Sequence, residues 1–500
     1  MPLQTTGPIS LKQIADEFED AAPHSLSEFY GLTSTLPASG VIDFDDFYGQ
    51  AGITAWLFEM QANNPTGVTS ASYISRGTVI DMDGYIYTCL TQAVAGNGSS
   101  DRQHVVVKIH PETGAVVWQR TFYFTNSSGV AQVSLSNMQL GQNNYGIVMG
   151  GIFYGNNNSS SGISAMMMKI DTNGNSTYKW LNSYVGGNGA ITTLNNGTVL
   201  KWGDFANTQQ AGVWVANSNL IGLASTNGFY NRSARAVAQD TSNNIYFACS
   251  KTSSTNLATV LKTNSSLSPV WEKAFSYPGL STTDFRIKLL RQIPGTNNFY
   301  VGFINRTSDI GYFGIMNSSG TISNVKTISG IAEVGTQSGM YVTMDDSVDQ
   351  LGNWYVPVAF TDTFHGVLKF NTSLALQWSR KFIGPWATWD PSGGINGVFA
   401  GPSRNNDWIS ISMAVERTAN NKTRICVFKY PADGNLTGTI SGTFGNYTIT
   451  NVSLTANTGS AITSSTQTTT TLSNPYGNYD GLPGGVNTSS LTISTTKTDL

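Results

Sequence analysis

Charged residues are scarce in this sequence. Asp, Glu, Lys and Arg make up 11% of the 500 residues, against about 25% in an ordinary soluble domain. The net charge is −3 at pH 7 and the isoelectric point is near 5.8. A nucleic-acid-binding protein needs a surplus of Lys and Arg to neutralise phosphates. The composition therefore predicts no nucleic-acid partner.

Cysteine and histidine are sparse as well, with three and four residues respectively. Cys89, Cys249 and Cys426 lie far apart in apolar, strand-like runs, which predicts buried small side chains and no disulfide framework. His104 and His110 are six residues apart. On one strand they would share a face but lie about 20 Å apart, too far to bind one metal ion.

Signatures of catalysis are lacking too. The sequence contains no G-x-S-x-G, no P-loop and no Rossmann glycine fingerprint. Acidic groups at Asp81/Asp83 and at 345–349 could ligate Ca²⁺, but the further acids of a calcium loop are missing, so Asx turns are the simpler interpretation. We therefore expect no catalysis, no metal and no cofactor. The alternative, a carbohydrate-active enzyme, would need two facing carboxylates.

Long hydrophobic runs are also missing. Since 18 consecutive apolar residues occur nowhere, no membrane insertion is expected. The first residues, MPLQTTGPIS, lack the charged and apolar regions of a secretory signal. These features predict synthesis in a cytoplasm.

Glycines and aromatic residues, by contrast, are plentiful, with 52 Gly and 11% aromatics. A polar turn followed by a short strand recurs, as in DGYIYT, SNNIYFAC and LGNWYVPV. The recurrence spacing is between 47 and 60 residues across seven units. Seven such units of about four strands each are typical of a β-propeller. Six or eight blades are the alternatives, because the third and fifth units lack the Lys and Trp landmarks described below. The equivalent positions are Tyr87, Ile147, Val199, Tyr246, Tyr300, Tyr355 and Ile409.

A second landmark is a lysine followed 9 to 11 residues later by a tryptophan. This spacing fits the end of one strand, a tight turn and the next strand. We interpret the tryptophans as blade-packing residues, with sugar stacking as the alternative. They are Trp118, Trp180, Trp271 and Trp378.

The segment 51–60 resembles a strand that has lost its blade. It carries Trp56, whereas the seventh unit has a Lys strand but no Trp strand. If this segment completes the last blade, the ring closes by pairing its two ends. We therefore place residues 52–60 beside residues 424–442, and assign residues 51–440 to the propeller.

Residues 441–500 form a Thr- and Ser-rich extension with few charges. Its β-branched residues favour short strands, while its low hydrophobicity favours order only when a partner covers it. We expect a β-type C-terminal extension that is ordered chiefly in an assembly, where it contacts a neighbouring subunit.

Residues 1–50 have a different, helical pattern. Ser10 with Gln13 and Ser25 with Glu28 form capping boxes, and Asp43 can cap a third short helix. Three such helices bury little surface alone, so we expect a docking module whose apolar faces contact another protein or, alternatively, the chain's own propeller. The expected docking residues are Leu11, Ile14, Phe18, Leu26, Phe29, Tyr30, Phe44, Phe47 and Tyr48.

The run GPISLKQIADEF…PHSLSEFYG…SGVIDFDDFYG, over residues 7–49, resembles an N-terminal module of virion structural proteins in tailed bacteriophages, especially marine and cyanobacterial phages. It departs from that family at Glu19–Asp20, where Gly-Gly is common. The resemblance implies a structural, non-enzymatic component of the particle, located in the virion after synthesis in the host cytoplasm.

Taken with the propeller, the resemblance implies a tail, neck or fibre protein. The implied partners are other virion structural proteins, further copies of the chain in a homo-oligomer, and a host-surface glycan. Two alternatives stay open: a depolymerase carried by the particle and a capsid decoration protein. A pair of buried acids with raised pKa values would favour the depolymerase.

Overall fold

The structure is a computed structural model. The structure describes residues 11–17, 25, 55–63, 78–81, 83–93, 102–126, 129–141, 146–154, 163–181, 191–204, 210–216, 223–230, 232–251, 258–281, 285–305, 308–331, 347–360, 365–384, 398–402, 408–417, 422–467, 471–472, 486–489 and 494–499. Within these residues the chain is almost entirely β.

Seven small antiparallel sheets form a ring, so the fold is a seven-bladed β-propeller with minimal helix, as the repeat predicts. Successive strands within a blade pair with each other from the innermost strand outward. The strands are listed by blade, innermost strand first. They are, in blade 1, β2 (Thr78–Ile80), β3 (Ile86–Ala93), β4 (Arg102–Ile109) and β5 (Val116–Asn126); in blade 2, β6 (Gly129–Leu140), β7 (Ile147–Tyr154), β8 (Ile163–Ile170) and β9 (Ser176–Leu181); in blade 3, β10 (Ile191–Thr193), β11 (Val199–Asp204), β12 (Gln210–Ala216) and β13 (Leu223–Tyr230); in blade 4, β14 (Arg232–Gln239), β15 (Ile245–Lys251), β16 (Ala258–Thr263) and β17 (Pro269–Ser276); in blade 5, β18 (Phe285–Gln292), β19 (Phe299–Asn305), β20 (Ile310–Met316) and β21 (Ile322–Ser329); in blade 6, β22 (Ser347–Val348), β23 (Trp354–Ala359), β24 (His365–Phe370) and β25 (Leu376–Ile383); and in blade 7, β26 (Val398–Pro402), β27 (Trp408–Arg417), β28 (Lys422–Pro431) and β1 (Trp56–Asn63).

The innermost strands define the ring. Each contacts the innermost strand of the next blade, from β2 through β6, β10, β14, β18, β22 and β26 and back to β2. Six clusters of buried apolar side chains fill the spaces between neighbouring blades in the described residues. The core of the protein therefore lies between the blades.

The seventh blade confirms the predicted closure. β1 pairs antiparallel with β28, from Trp56 opposite Lys429 to Asn63 opposite Lys422. The outermost strand of the last blade thus comes from the beginning of the chain. Pairing of the two ends satisfies backbone groups that an open ring would leave exposed.

The segment after the seventh blade runs backwards around the outside of the ring. We call residues 438–499 the rim segment. It pairs antiparallel with the outermost strands of blades 6, 5, 4, 3, 1 and 7 in that order. Its strands are β29 (Gly438–Gly442), β30 (Gly445–Asn451), β31 (Asn457–Thr458), β32 (Thr463–Thr466), β33 (Thr471–Leu472), β34 (Val486–Ser489) and β35 (Ser494–Asp499).

The rim segment is β-type, as its Thr content predicts, but it differs from the expectation of order chiefly in an assembly. The surface that it pairs with belongs to its own chain. Its low hydrophobicity suggested that it would need a partner to become ordered. Backbone hydrogen bonds to an existing sheet edge, however, need no hydrophobic side chain.

The one helix among the described residues is α1 (Leu11–Glu17). It begins directly after Ser10, the residue expected to cap it. The other two expected helices lie outside the described residues.

Candidate functional site

A buried aspartate organises the turn between the first two strands of blades 1, 4 and 6. Asp240 Oδ1 accepts hydrogen bonds from the N–H groups of Ser242 (2.9 Å) and Asn244 (2.8 Å), and Oδ2 accepts from Asn244 Nδ2 (2.9 Å) and Tyr246 OH (3.0 Å). The tyrosine six residues on, which marks the repeat in the sequence, is therefore the partner of the turn aspartate. The equivalent pairs are Asp81 with Tyr87 and Asp349 with Tyr355.

The fourth residue of these turns has a positive φ, which explains why it is Gly or Asn. The φ angles are 84° at Gly84, 63° at Asn243 and 83° at Gly352. These two residue types tolerate the left-handed region best. The Asp81 and Asp349 carboxylates are thus committed to Asx turns, as the simpler interpretation predicts, and Asp345 and Asp346 lie outside the described residues.

A lysine and a tryptophan from one blade bind the same backbone oxygen of the next blade. In blade 6, Lys369 Nζ and Trp378 Nε1 donate to Ala432 O at 2.8 and 3.0 Å. We call each such contact an inter-blade bridge. Lys108 and Trp118 make the same bridge to Thr172 O, Lys262 and Trp271 make it to Ser318 O, and Trp56 donates to Pro111 O.

Trp118, Trp271 and Trp378 each have a cation over the ring and a turn glycine of the next blade against it. Arg380 lies over the Trp378 ring at 5.6 Å. On the next blade, Gly434 has a φ of +79°, and a Cβ there would be 2.8 Å from the ring. Arg120 over Trp118 and Lys273 over Trp271 repeat the cation contact. The predicted role of these tryptophans in blade packing therefore agrees with their contacts.

Trp180 differs from the other tryptophans. Its backbone partner is Met166, whereas Lys169 lies opposite Thr177. In the other units Lys108, Lys262 and Lys369 lie directly opposite a tryptophan. The 11-residue gap, the longest of the four, is the sequence signal of this difference.

Burial shifts the pKa values of several groups in this network. It raises the pKa of the Asp81 carboxyl, against the hydrogen bond from Tyr87 that lowers it. It also raises the pKa of the Tyr87 and Tyr246 hydroxyls far above the usual value, and the neighbouring aspartates add to the shift. The pKa of the Lys369 ammonium is lowered by burial, although Asp349 opposes this. Each tyrosine is thus held protonated as a donor.

Replacement of Asp240 by Ala is expected to lower the free energy of unfolding by about 2–4 kcal/mol, because two backbone N–H groups and the Tyr246 hydroxyl lose a buried acceptor. Asp171 is the matched control, since it accepts equivalent bonds from Asn173 and Asn175 in an exposed turn. Asp171→Ala should cost about 1 kcal/mol. Urea unfolding followed by tryptophan fluorescence measures both, and equal losses would contradict the assigned role of burial.

A second buried acid, Glu59, joins the ring closure to the rim segment. It lies on β1 and is fully buried (0% exposed). Its carboxylate accepts hydrogen bonds from the N–H groups of Thr443 (2.6 Å) and Phe444 (3.1 Å) and from Tyr447 OH (2.7 Å). Thr496 of β35 donates a weaker bond at 3.4 Å. The Glu59 side chain therefore links the closing strand β1 to the β29–β30 hairpin and to the last strand, β35.

Sequence reasoning missed Glu59. The signal was an acid in the otherwise apolar run WLFEM, because an acid at such a position is buried only where it finds partners. Its chemistry here is structural, since the four donors occupy both carboxylate oxygens.

Most of the expected docking residues lie outside the described residues. They are Phe18, Leu26, Phe29, Tyr30, Phe44, Phe47 and Tyr48. Leu11 begins α1, and Ile14 and Ala15 are fully buried (0% exposed). The Ile14 side chain is thus covered within this chain.

The sparse cysteines and histidines take structural positions. All three cysteines are buried and form no disulfide bond within the described residues, which agrees with the predicted apolar role. The expectation that His104 and His110 share one strand is wrong: β4 ends at Ile109, and His110 begins the turn, where Nδ1 accepts the N–H groups of Glu112 and Thr113. Turn formation displaced the histidine because its ring can cap two N–H groups.

Among the described residues, no group of three or more His, Cys, Asp and Glu side chains could hold a metal ion. No helix there is long and apolar enough to cross a membrane.

The chain matches no protein-family model and no curated protein. Several solved structures are similar to the chain at low identity and low TM-score. A protein of unknown function from Dyadobacter fermentans is 8% identical over 74% of this chain and 98% of its own (TM-score 0.39). Kuenenia stuttgartiensis hydrazine synthase is 10% identical over 73% and 97% (TM-score 0.40). The parainfluenza virus 5 hemagglutinin-neuraminidase ectodomain is 10% identical over 75% and 84% (TM-score 0.32). Likeness at this level carries no inference about activity.

Proposed function

We propose that the chain is a structural component of a tailed-bacteriophage particle, associated with the tail, neck or fibres. The propeller would be a rigid platform for assembly or for contact with the host surface. The observation that carries this proposal is the resemblance of residues 7–49 to a module of phage virion proteins. The burial of Ile14 and Ala15 supports a folded module at these residues.

The pairing of the rim segment with the outer edges of the blades supports a platform role. Within the described residues, the rim segment pairs with the outermost strands of six blades. Those edges are then closed to chance pairing with other sheets. A protein that is packed beside many neighbours in a particle needs such protection, while its side chains stay available for specific contacts.

The partners follow from the same proposal. Residues 1–50 contact other virion structural proteins, the propeller assembles with further copies of the chain, and exposed polar side chains recognise a host-surface glycan. Nucleic acid and membrane are not partners, and the chain performs no catalysis. The proposed location is the virion.

Immunogold electron microscopy of purified particles, with an antibody against the propeller, tests the location. Label at the tail, neck or fibres is the expected result. Label over the capsid would replace attachment by head decoration. No label on intact particles would overturn the virion proposal and would make glycan cleavage by the purified chain the next measurement.

Deletion of residues 1–50 is expected to abolish incorporation into particles and to leave the propeller folded, since the ring closes with a strand that begins at Trp56. The matched control removes an exposed apolar side chain from the propeller instead. Leu351 is 67% exposed, and Leu351→Ser should incorporate normally. Incorporation is measured by immunoblot of gradient-purified particles, and full incorporation of the deletion variant would contradict the docking role.

A further inference from the structure

The closing strand β1 joins its blade in a different way from the other six outermost strands. Each of those strands follows the third strand of its own blade along the chain, whereas β1 and β28 come from opposite ends of the chain. The attachment of β1 to blade 7 therefore depends on non-covalent contacts alone. The covalent path from residues 1–50 to the propeller also runs through β1.

Both edges of β1 are paired. β28 pairs with it over eight residues and β35 over six, so that β1 is enclosed within a five-stranded sheet. The rim segment pairs with the other outermost strands over two residues in blades 3 and 5 and over four in blades 1, 4 and 6. Its longest pairing therefore falls on the strand that no turn joins to its blade.

Both faces of β1 are buried as well. Leu57 belongs to the apolar cluster between blades 6 and 7, whereas Phe58 and Met60 belong to the cluster between blades 7 and 1. None of these three side chains is more than 1% exposed. At the start of the strand, Trp56 Nε1 donates to Pro111 O of blade 1 at 2.9 Å. An outermost strand is thus enclosed like an inner strand of a sheet.

A pull on residues 1–50 would reach the ring at Trp56, the first residue of β1. The backbone hydrogen bonds of an antiparallel pair are perpendicular to the strands, so a pull along β1 loads the bonds on both edges together. Asp499, the last residue of β35, lies opposite Trp56. The pairing with β35 therefore begins at the residue where the load enters.

We propose that β28, β1 and β35 form a mechanical clamp, in which the last strand holds the closing strand against force that acts on residues 1–50. The clamp rests on the proposed function, because such force arises when the particle holds the docking module and the host surface holds the propeller. Release of β1 then requires both pairings to break, together with the hydrogen bonds from Glu59 to Thr443 and Phe444.

Force spectroscopy of the full chain tests the clamp. One handle is attached to the N-terminus and the other to Ser329→Cys, an exposed position at the end of β21 in blade 5. The outermost strands of the blades run in the same sense, so the force between these points has a component along β1. The three native cysteines are buried and do not compete for the handle. The measured quantity is the lifetime of the closed ring at constant force.

The double variant Thr495→Pro/Thr496→Pro is expected to shorten this lifetime about tenfold or more, because proline lacks the backbone donor that pairing needs. The two threonines lie opposite Met60 and Glu59. The matched control is Ser464→Pro/Ser465→Pro, which disrupts the pairing of the rim segment with β17 in blade 4. This control should change the lifetime less than about twofold, since β17 is joined to its blade by a turn.

A second pair of handles separates load on β1 from a general loss of stability. With handles on Val270→Cys and Ser329→Cys, the force acts between blades 4 and 5 and bypasses β1. The variant Thr495→Pro/Thr496→Pro should then have the lifetime of the unmodified chain. Circular dichroism verifies folding, and a chain shortened after Ile493 replaces this variant if it does not fold.

Two results would overturn the clamp. One is an equal lifetime of the two proline variants when the N-terminus is pulled. The other is an equal shortening by Thr495→Pro/Thr496→Pro with both pairs of handles. These measurements use the isolated chain and do not depend on the immunogold result, so the clamp and the virion proposal fail separately.

Discussion

Glu59→Ala is expected to lower the free energy of unfolding by about 2–4 kcal/mol, because the two backbone N–H groups and the tyrosine hydroxyl that it binds lose a buried acceptor. The hairpin of β29 and β30 then has no polar contact with β1 through this side chain. Gly442 shows how closely the two approach, since a Cβ there would be 2.7 Å from Glu59 Oε1. We therefore expect the rim segment to separate from the ring before the blades unfold.

Two measurements follow this separation. Calorimetry reports the loss of stability, and hydrogen exchange reports opening of residues 438–451 relative to the blades. Glu112→Ala is the matched control, because Glu112 receives a bond from Lys429 at 3.4 Å but is 44% exposed. An exposed ion pair contributes about 0.2–1 kcal/mol. If both variants lose the same stability, or if the rim segment exchanges no faster in Glu59→Ala, the role assigned to Glu59 is wrong.

The propeller could be predicted because its repeat has local causes. Blades 1, 4 and 6 each need a residue with positive φ in a tight turn and a tyrosine that donates to the turn aspartate, and both features recur at a regular spacing in the sequence. The closing strand was predictable for a similar reason, because the segment that carries Trp56 supplies the Trp strand that the seventh unit lacks. These features depend on contacts close in sequence or on a missing member of a series.

The rim segment could not be predicted in the same way. β31 and β33 contain two residues each, and β32 contains four exposed ones. Strands this short have no alternation to read. Their stability comes from backbone bonds to edges that exist only after the ring has formed, so the information lies in the partner strands. The aspect of the segment that composition does carry, its β-branched content, predicted strands correctly.

The sequence indicated the donors of the inter-blade bridges but not their acceptor. Lysine and tryptophan stood out by spacing, but their acceptor is a backbone oxygen, such as Ala432 O, that any residue could supply.

Gly434→Ala is expected to destabilise the protein by about 2–4 kcal/mol, which combines the cost of a left-handed backbone for alanine with a clash at Trp378. The ring atoms cannot retreat easily, because Trp378 is 7% exposed and donates to Ala432 O at 3.0 Å. A shift of the ring would break that bond and move it away from Arg380. The substitution therefore strains the junction of blades 6 and 7, next to the closure of the ring.

Gly279 separates the two causes of this loss. Its φ of +77° is close to the +79° of Gly434, but a Cβ there would have nothing within 4 Å. Gly279→Ala should therefore cost about 1 kcal/mol, the backbone part alone. The difference between the two variants in urea unfolding measures the packing of glycine against tryptophan. Since a matching glycine follows the bridges at Trp118 and Trp271, a difference near zero would remove packing at the turn glycine as a source of inter-blade stability, and leave the hydrogen bonds to the shared oxygen as the reason for the Lys–Trp repeat.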